Sequence, residues 1–211
     1  MRTVNRGAGM EERVPPPRFP DADAVVRSGD TARPETAVDI LFVNPPAPDG
    51  GIWMYEGGKA VEVARAPSKH VAALAAGPDE SVLAGAGDSG KIWRVTPDGK
   101  LSLFADTNQL HVQCLWTSAD GSVLAGTART AAVWRISEGC AEAILHASEE
   151  FVGSVVANAR GAVYATTGPK GKLYLIEKDR APVVLIDKLA GNTAPLALDA
   201  DGSVVLADAS R

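Results

Sequence analysis

The chain has 211 residues, a mass of 21.9 kDa and a formal net charge of −5, with a pI near 5.2. This mildly acidic balance argues against a surface that follows phosphate backbones or anionic lipid, so neither nucleic acid nor a membrane is expected as a partner. Two cysteines, Cys114 and Cys140, are too few for a disulfide framework. Cys114 lies in the apolar run "HVQCLW" and is expected to be a buried free thiol.

Residues 1–37 differ in composition from the rest of the chain. They contain five prolines among many charges, and their apolar residues are too scattered to bury one face of a helix. Such a segment cannot offset its ordering entropy by burial, so a disordered arm is predicted over 1–37 and a folded domain over 38–211. The stretch "VPPPRFP" leaves open a second interpretation, a proline-rich ligand for an aromatic groove on a partner.

No targeting or membrane segment is evident in the sequence as written. The basic residues near Met1 are not followed by an apolar run, and no window approaches the roughly 18–20 apolar residues of a membrane span. The expected compartment is the cytoplasm, with export possible if the start of translation lies elsewhere.

From Asp39 onward, equivalent positions recur at a nearly constant interval of 40 or 41 residues. The first set is aromatic, and two further sets consist of valines that begin short apolar runs. The three sets are Trp53, Trp93, Trp134 and Tyr174; Val82, Val123, Val163 and Val204; and Val71, Val112 and Val152. A period of about 40 residues indicates a repeat architecture.

Each repeat contains four short apolar runs joined by turns rich in Gly and Asp. In the clearest unit the runs are "HVAALAA", "SVLAGAG", "KIWRVTP" and "KLSLFAD", and no run sustains a helical period for three turns. The turns "GPDE", "GDSG" and "PDG" supply the positive φ angles that tight strand reversals need. Four antiparallel strands per repeat predict an all-β protein built from β-propeller blades.

The stretch "HVAALAAGPDESVLAGAGDSGKIWRV" resembles a degenerate blade of the WD40 type, and it is also similar to blades of NHL and SMP-30 (gluconolactonase-like) propellers. The phrases "SADGSVLAGT" and "DADGSVVLAD" match the turn between the first two strands of such blades. The resemblance covers residues 39–211. No repeat ends in the Trp-Asp pair of true WD40 repeats, because Arg94 and Arg135 follow Trp93 and Trp134.

The number of blades is about four. Residues 70–105, 111–146 and 151–187 form three complete units, and "TAPLALD" with "SVVLADA" supplies the first two strands of another. Near the N-terminus, "DILFVN", "IWMYE" and "AVEVAR" match the second, third and fourth strands. The terminal unit is therefore either a composite blade that closes a ring of four, or an incomplete blade in an open arc of a larger propeller that would self-associate through its open edges.

The recurring aromatic residue is expected to lie on the third strand of each blade and to fill the wedge against the neighbouring blade. Burial of such a ring contributes about 2–3 kcal/mol. An aromatic cage for a cationic ligand is the alternative, but it needs aromatic side chains that converge, and these occur once per blade.

Ligands of propellers bind where the loops entering the first strands converge at the channel mouth. At or just before those strands the sequence has His70, His111, Glu150 and Asn192, which are the candidate ligand-binding residues. Two imidazoles, a carboxylate and an amide would suit a divalent cation. The competing interpretation is that each histidine forms a structural hydrogen bond within its blade.

The sequence contains no nucleophile elbow, phosphate-binding loop or CxxC pair. The primary expectation is a non-catalytic scaffold, without a cofactor, that binds a protein or a small ligand at the channel mouth. The resemblance to SMP-30 proteins implies a second hypothesis, a metal-dependent lactonase-like hydrolase, in which Glu150 and Asn192 would match two ligands of one divalent cation and no Asp completes the set. A third hypothesis is a fragment of a longer propeller sensor.

Overall fold

The computed structural model describes residues 24–28, 38–42, 50–56, 59–137, 139–169, 171–189, 194–199 and 201–207. Every regular element within these ranges is a β-strand, so none of them contains a helix of the length and apolarity needed to cross a bilayer. The alternation of short Val-rich and Leu-rich runs with Gly and Asp turns accounts for this all-β architecture, as the sequence predicts.

Three consecutive units are complete four-stranded blades. The second blade comprises β5 (Val71–Ala76), β6 (Val82–Ala86), β7 (Lys91–Val95) and β8 (Leu101–Asp106). The third comprises β9 (His111–Thr117), β10 (Val123–Ala128), β11 (Ala132–Ser137) and β12 (Cys140–His146), and the fourth comprises β13 (Phe151–Ala157), β14 (Val163–Gly168), β15 (Gly171–Ile176) and β16 (Val183–Leu189). Neighbouring strands within each blade pair antiparallel, and one bridge from Ala128 to Phe151 joins the third and fourth blades.

Two hairpins form the first blade. These are β1 (Ala24–Ser28) with β2 (Val38–Phe42), and β3 (Gly51–Glu56) with β4 (Lys59–Arg65); β2 lies beside β3, but the described residues form no ladder between them. Strand β1 lies inside the segment that the sequence predicts to be disordered. It is ordered as a strand because its backbone pairs with β2, with Ala24 opposite Phe42. The remainder of the predicted arm lies outside the described residues, so the division at residue 37 stays a prediction.

A fifth unit consists of β17 (Leu196–Leu198) and β18 (Val204–Leu206), which pair only with each other in the described part of the chain. The first strands of successive units, β1, β5, β9, β13 and β17, are neighbours in that order. The molecule is therefore an open partial propeller, in which β2 pairs with β1. The sequence predicts the terminal half-blade of β17 and β18, whereas β1, which it does not predict, stands with β2 beside β3 and β4 in the first unit.

The hydrophobic core consists of clusters between blades. One cluster joins Ile52 and Ala66 of the first blade to Leu74 and Val95 of the second. The clusters between the second and third blades and between the third and fourth follow the same pattern. Trp93, Trp134 and Tyr174 each pack into the cluster shared with the preceding blade, as the wedge prediction requires.

Glycines on the second strands allow the blades to approach closely. A Cβ atom on Gly85 would lie 2.6 Å from Cγ1 of Val112, and one on Gly126 would lie 2.6 Å from Cγ1 of Val152. Both valines belong to the first strand of the next blade. The repeat therefore places a residue without a side chain opposite a buried β-branched residue at successive blade interfaces.

Candidate functional site

The candidate site is one edge of the blades, which we call the loop face. It is formed by the loops that enter the first strands (66–70, 107–110 and 147–150) and by the hairpins between the second and third strands (87–90 and 129–131). Antiparallel order brings these segments to the same edge, because a first strand begins where a second strand ends. The predicted site residues His70, His111 and Glu150 lie here, and Asn192 lies outside the described residues.

His70 and His111 come together at a single residue, Gly87. The amide of Gly87 donates to the carbonyl oxygen of His70 at 3.0 Å, and the bare Cα of Gly87 lies against the His70 ring. The Nδ1 atom of His111 forms a hydrogen bond with the carbonyl oxygen of Gly87. Gly87 belongs to the second blade and His111 to the third, so this hydrogen bond joins two blades. The structural interpretation from the sequence is a hydrogen bond within a single blade.

A second contact fixes the loop 66–70 to the hairpin of its own blade. The hydroxyl of Ser68 donates to Oδ1 of Asp88 at 2.5 Å, and the amide of Lys69 donates to Oδ2 at 2.8 Å. Burial would raise the pKa of Asp88, but the hydrogen bonds from Ser68 and Lys69, together with the nearby His70, hold it below its ordinary value. Asp88 is therefore an ionised anchor for the loop.

The loop 147–150 is fixed by a carboxylate. The side chain of Glu149 is only 7% exposed; it pairs with Nζ of Lys172 at 2.7 Å and accepts a hydrogen bond from the Tyr174 hydroxyl at 3.1 Å. Burial pushes the pKa of Glu149 upward, but the Lys172 and Tyr174 hydrogen bonds outweigh it and the pKa lies below its ordinary value. The pKa of Tyr174 is raised by burial and by Glu149, and the pKa of Lys172 is raised by its hydrogen bond to Glu149.

The directions of these three pKa shifts assign a structural role to the Glu149 cluster, which comprises Glu149, Lys172 and Tyr174. The carboxylate is held ionised and the ammonium and phenol are held protonated, so none of the three is shifted toward acid–base chemistry near neutral pH. From the sequence, Tyr174 is predicted only as a wedge residue, and Glu149 and Lys172 carry no predicted role. Their separation of 23 positions follows no local pattern, and only the packing of a loop on the third strand brings them together.

Three side chains at equivalent positions of successive loops remain exposed on the loop face. These are Lys69, Leu110 and Glu150, which we call the exposed row; Leu110 is 51% exposed, and both charged residues are exposed. Each lies one residue from a group that fixes its loop: Ser68, His111 and Glu149, respectively. The row therefore presents a cation, an apolar group and an anion from loops of defined geometry.

The described residues do not bring together a cluster of cation-ligating side chains. No group of three or more His, Cys, Asp or Glu side chains converges within them. Glu150 is exposed, and its amide donates to the carbonyl oxygen of Gly168 at 2.9 Å, one blade away from the His70 and His111 pair. The contribution predicted for Asn192 concerns a residue outside the described ranges.

No protein-family model matches the sequence, and no curated protein matches it with significant similarity. The structure, by contrast, is similar to many solved β-propeller-like proteins. A chain of a nidogen/laminin complex has 16% identity and a TM-score of 0.63, over 77% of this chain and 68% of that one. Virginiamycin B lyase from Staphylococcus aureus has 13% identity and a TM-score of 0.64, over 89% and 71%.

A putative gluconolactonase has 14% identity and a TM-score of 0.54, over 82% of this chain and 66% of that one. The chain thus spans between 66% and 71% of the length of these three proteins. At such identities the similarity shows the β-propeller fold, and it includes an SMP-30-type neighbour as the sequence resemblance implies. It does not distinguish WD40 or NHL blades from the others, and the neighbours include enzymes as well as a protein found in a complex.

Proposed function

We propose that the protein is a non-catalytic binding scaffold whose ligand, a protein or a small molecule, docks on the loop face. The observation that supports this proposal is the exposed row, in which Lys69, Leu110 and Glu150 are displayed by loops tied to neighbouring hairpins or to the third strand of the blade. Loops that are already ordered lose little entropy on binding, so such a surface is suited to recognition. The row combines charge at both ends with an apolar centre, which favours a ligand of mixed character.

The state of the polar groups on this face also supports a scaffold. Asp88 and Glu149 are engaged by hydrogen-bond donors that keep them ionised, and His111 is engaged by a backbone carbonyl. A general base or a nucleophile needs a free, activated group beside the substrate. The polar groups described here instead hold loops in place.

The experiment compares a loop-face variant with a control on the opposite edge of the blades. The variant carries Lys69→Glu, Leu110→Ser and Glu150→Lys, and the control carries Glu80→Lys and Arg160→Glu in exposed turns between first and second strands. Each protein is screened by thermal shift against a fixed metabolite library and by affinity capture with identification of the captured proteins. A ligand lost by the variant and kept by the control supports the proposal. Equal binding by both, or an inert wild-type protein, contradicts it.

A metal-dependent lactonase is the second candidate function, because one similar structure is that of a putative gluconolactonase. Its cofactor would be a divalent cation held by Glu150 together with Asn192. Hydrolysis of D-glucono-δ-lactone is measured in added Ca²⁺, Mn²⁺ or Zn²⁺, and the bound metal is quantified for wild type and Glu150→Gln. Metal-dependent turnover lost in Glu150→Gln would favour this candidate over the scaffold. The third hypothesis, a fragment of a longer sensor, is tested by sequencing the gene on both sides of the reading frame.

A further inference from the structure

The fifth unit ends, within the described residues, in a strand edge without a ladder partner. In the second, third and fourth blades the second strand pairs on both sides, as β6 does with β5 and β7, whereas β18 pairs only with β17 in the described part of the chain. Val205, at the centre of β18, is 53% exposed. Neither a lysine nor a proline interrupts β18, although soluble proteins commonly protect an edge strand in this way.

The blade before this edge has an apolar face that is only partly covered. Ile186 lies opposite Leu173 on the third strand of its blade. Ala105 lies opposite the equivalent Ile92 in the second blade, and Leu145 lies opposite the equivalent Val133 in the third. Ala105 is 4% and Leu145 is 5% exposed, whereas Ile186 is 40% exposed. The face is continuous with the buried cluster of Leu173, Leu189 and Ala194 that joins the fourth blade to β17 and β18.

The composition of β16 points in the same direction. Its residues Val183, Val184, Leu185 and Ile186 are four consecutive apolar residues, each between 40% and 53% exposed. Val183 is equivalent in position to Ser102 of the second blade and to Glu142 of the third, and both of those residues are polar and exposed. A strand adapted to permanent exposure would retain polar residues, so this face is expected to be covered.

The same chain carries a complementary hairpin, β3 with β4. Strand β3 holds Trp53, the equivalent of the three aromatic residues that pack into a preceding blade, and its only ladder in the described part is with β4. In the sequence, nine residues, "GDTARPETA", separate β1 from β2. The first and second strands of other units are joined by shorter Asp-containing turns, "GPDE", "SADG" and "DADG". By repeat equivalence, β17 with β18 is the better inner half for a blade whose outer half is β3 with β4.

We infer that β3 and β4 of a second copy of the chain complete the fifth blade by pairing with β18 and displacing their own β1 and β2. The third blade pairs Leu124 with Arg135 and Ala125 with Trp134, so equivalence places Val205 opposite Met54 and Leu206 opposite Trp53. Trp53 of the second copy then packs on Leu185 and Ile186, as Trp134 and Tyr174 pack on the blades before them. The exposed apolar face and the unpaired edge are both covered by this single contact.

The position of the hairpin favours a second copy over the same chain. Within one chain, β3 and β4 lie at the opposite end of the row of first strands from β17 and β18, and Ile52 of β3 packs in the cluster with Leu74 of the second blade. Two copies that exchange hairpins head to tail would contain about eight blades, within the range of four to eight typical of propellers. Head-to-tail contacts that close form rings, and those that fail to close form filaments.

Mixed single-cysteine variants test the predicted pairing in trans. Met54→Cys and Val205→Cys are made separately in the full chain with Cys140→Ser, because Cys140 is exposed. Mixing the two under mild oxidation is expected to give a disulfide-linked heterodimer, since facing positions on adjacent strands meet the distance requirement of a disulfide. Glu80→Cys replaces Met54→Cys in the control mixture and is expected to give none. Equal cross-linking in both mixtures, or none in either, overturns the inference.

Two further measurements exclude the same-chain alternative and misfolding. If the double variant with Met54→Cys and Val205→Cys forms its disulfide only within monomers, the chain closes on itself and the second-copy proposal fails. Light scattering then compares Val205→Lys with Leu103→Lys, which adds the same charge at a position 51% exposed in the second blade. Val205→Lys is expected to weaken self-association at least about tenfold, and Leu103→Lys to leave it unchanged. A wild-type protein that is monomeric at every concentration, or equal effects of the two lysines, overturns the proposal.

Discussion

At the level of single residues, the most informative group is the buried carboxylate of Glu149. It is enclosed by a loop and a third strand, and the hydrogen bonds from Lys172 and Tyr174 hold its pKa below the ordinary value although burial raises it. A buried charge of this kind is destabilising without its partners and stabilising with them. The cluster therefore couples the shape of the loop face to the packing of the fourth blade.

Glu149→Gln tests this coupling through pH. Because the folded-state pKa lies below the ordinary value of 4.5, the contribution of the carboxylate is complete above pH 4.5 and is lost as the pH falls through the folded-state pKa. The variant is expected to lose about 1 kcal/mol of unfolding free energy at pH 7, and the loss is small because Lys172 is partly exposed to solvent. The difference from wild type should become smaller in acid. Urea unfolding at both pH values measures it, with the exposed Glu177→Gln as control. A difference independent of pH would contradict the assignment.

The two cysteines differ in environment. Burial raises the pKa of the Cys114 thiol to about 12, and its Sγ lies 3.8 Å from the carbonyl oxygen of Val152, whereas Cys140 is exposed. Because the thiolate is the reactive form, Ellman's reagent is expected to modify Cys140 alone in the native protein and both residues in denaturant. Cys140→Ser should abolish the native reaction. Rapid modification of Cys114 in the folded Cys140→Ser variant would show that its site opens.

Gly126→Ala tests the close approach of successive blades. The new methyl group would lie 2.4 Å from Sγ of Cys114 and 2.6 Å from Cγ1 of Val152, so a loss of about 1–3 kcal/mol in unfolding free energy is expected. Gly161→Asn is the control, because Gly161 has φ +80°, which Asn tolerates, and a Cβ atom added there would have no neighbour within 4 Å. Urea denaturation of both variants provides the comparison. A neutral Gly126→Ala would mean that the interface relaxes without cost.

At the level of strands and loops, side-chain hydrogen bonds add to the apolar clusters that join one blade to the next. His111 links the start of β9 to the hairpin 87–90, and the Thr107 hydroxyl donates to the carbonyl oxygen of Gly90 at 2.8 Å. These contacts fix the loop 107–110 and the start of β9 to the hairpin of the preceding blade.

His111→Ala is expected to loosen the hairpin 87–90 locally. Amide hydrogen exchange of Gly87 to Gly90 should accelerate, while the free energy of unfolding falls by about 1 kcal/mol, since one hydrogen bond is removed from a folded blade. His146→Ala is the control, because His146 is exposed and packs its ring against Trp134, 6.4 Å away between centroids. Unchanged exchange in the hairpin would show that the imidazole does not hold it.

Strand positions could be predicted well from the sequence where the repeat is clear. Strands β5 to β16 begin and end close to the predicted runs, because alternating apolar residues and Asp or Gly turns determine each hairpin locally. Strand β1 could not be predicted. Its residues Ala24 to Ser28 lie between charged and proline-rich stretches, and only pairing with β2 makes them a strand.

For the molecule as a whole, self-association predicts that thermal stability depends on concentration. A contact made only by folded chains stabilises them by mass action, so the melting temperature of the wild type should rise with protein concentration. The melting temperature of Val205→Lys should not rise, and that of Leu103→Lys should rise as in wild type. Differential scanning fluorimetry over a roughly hundredfold range of concentration measures this. Parallel behaviour of all three proteins would contradict an interface at β18.

The repeat, the all-β blades and the position of each wedge aromatic follow from the amino-acid sequence alone, because they depend on spacing and turn chemistry that act within about 40 residues. The meeting of His70 and His111 at Gly87 and the pairing of Glu149 with Lys172 became known only from the folded arrangement. The first depends on how the third blade packs on the second, and the other on how a loop packs on the third strand of its own blade. Contacts between residues 23 or more positions apart leave no local pattern in the chain.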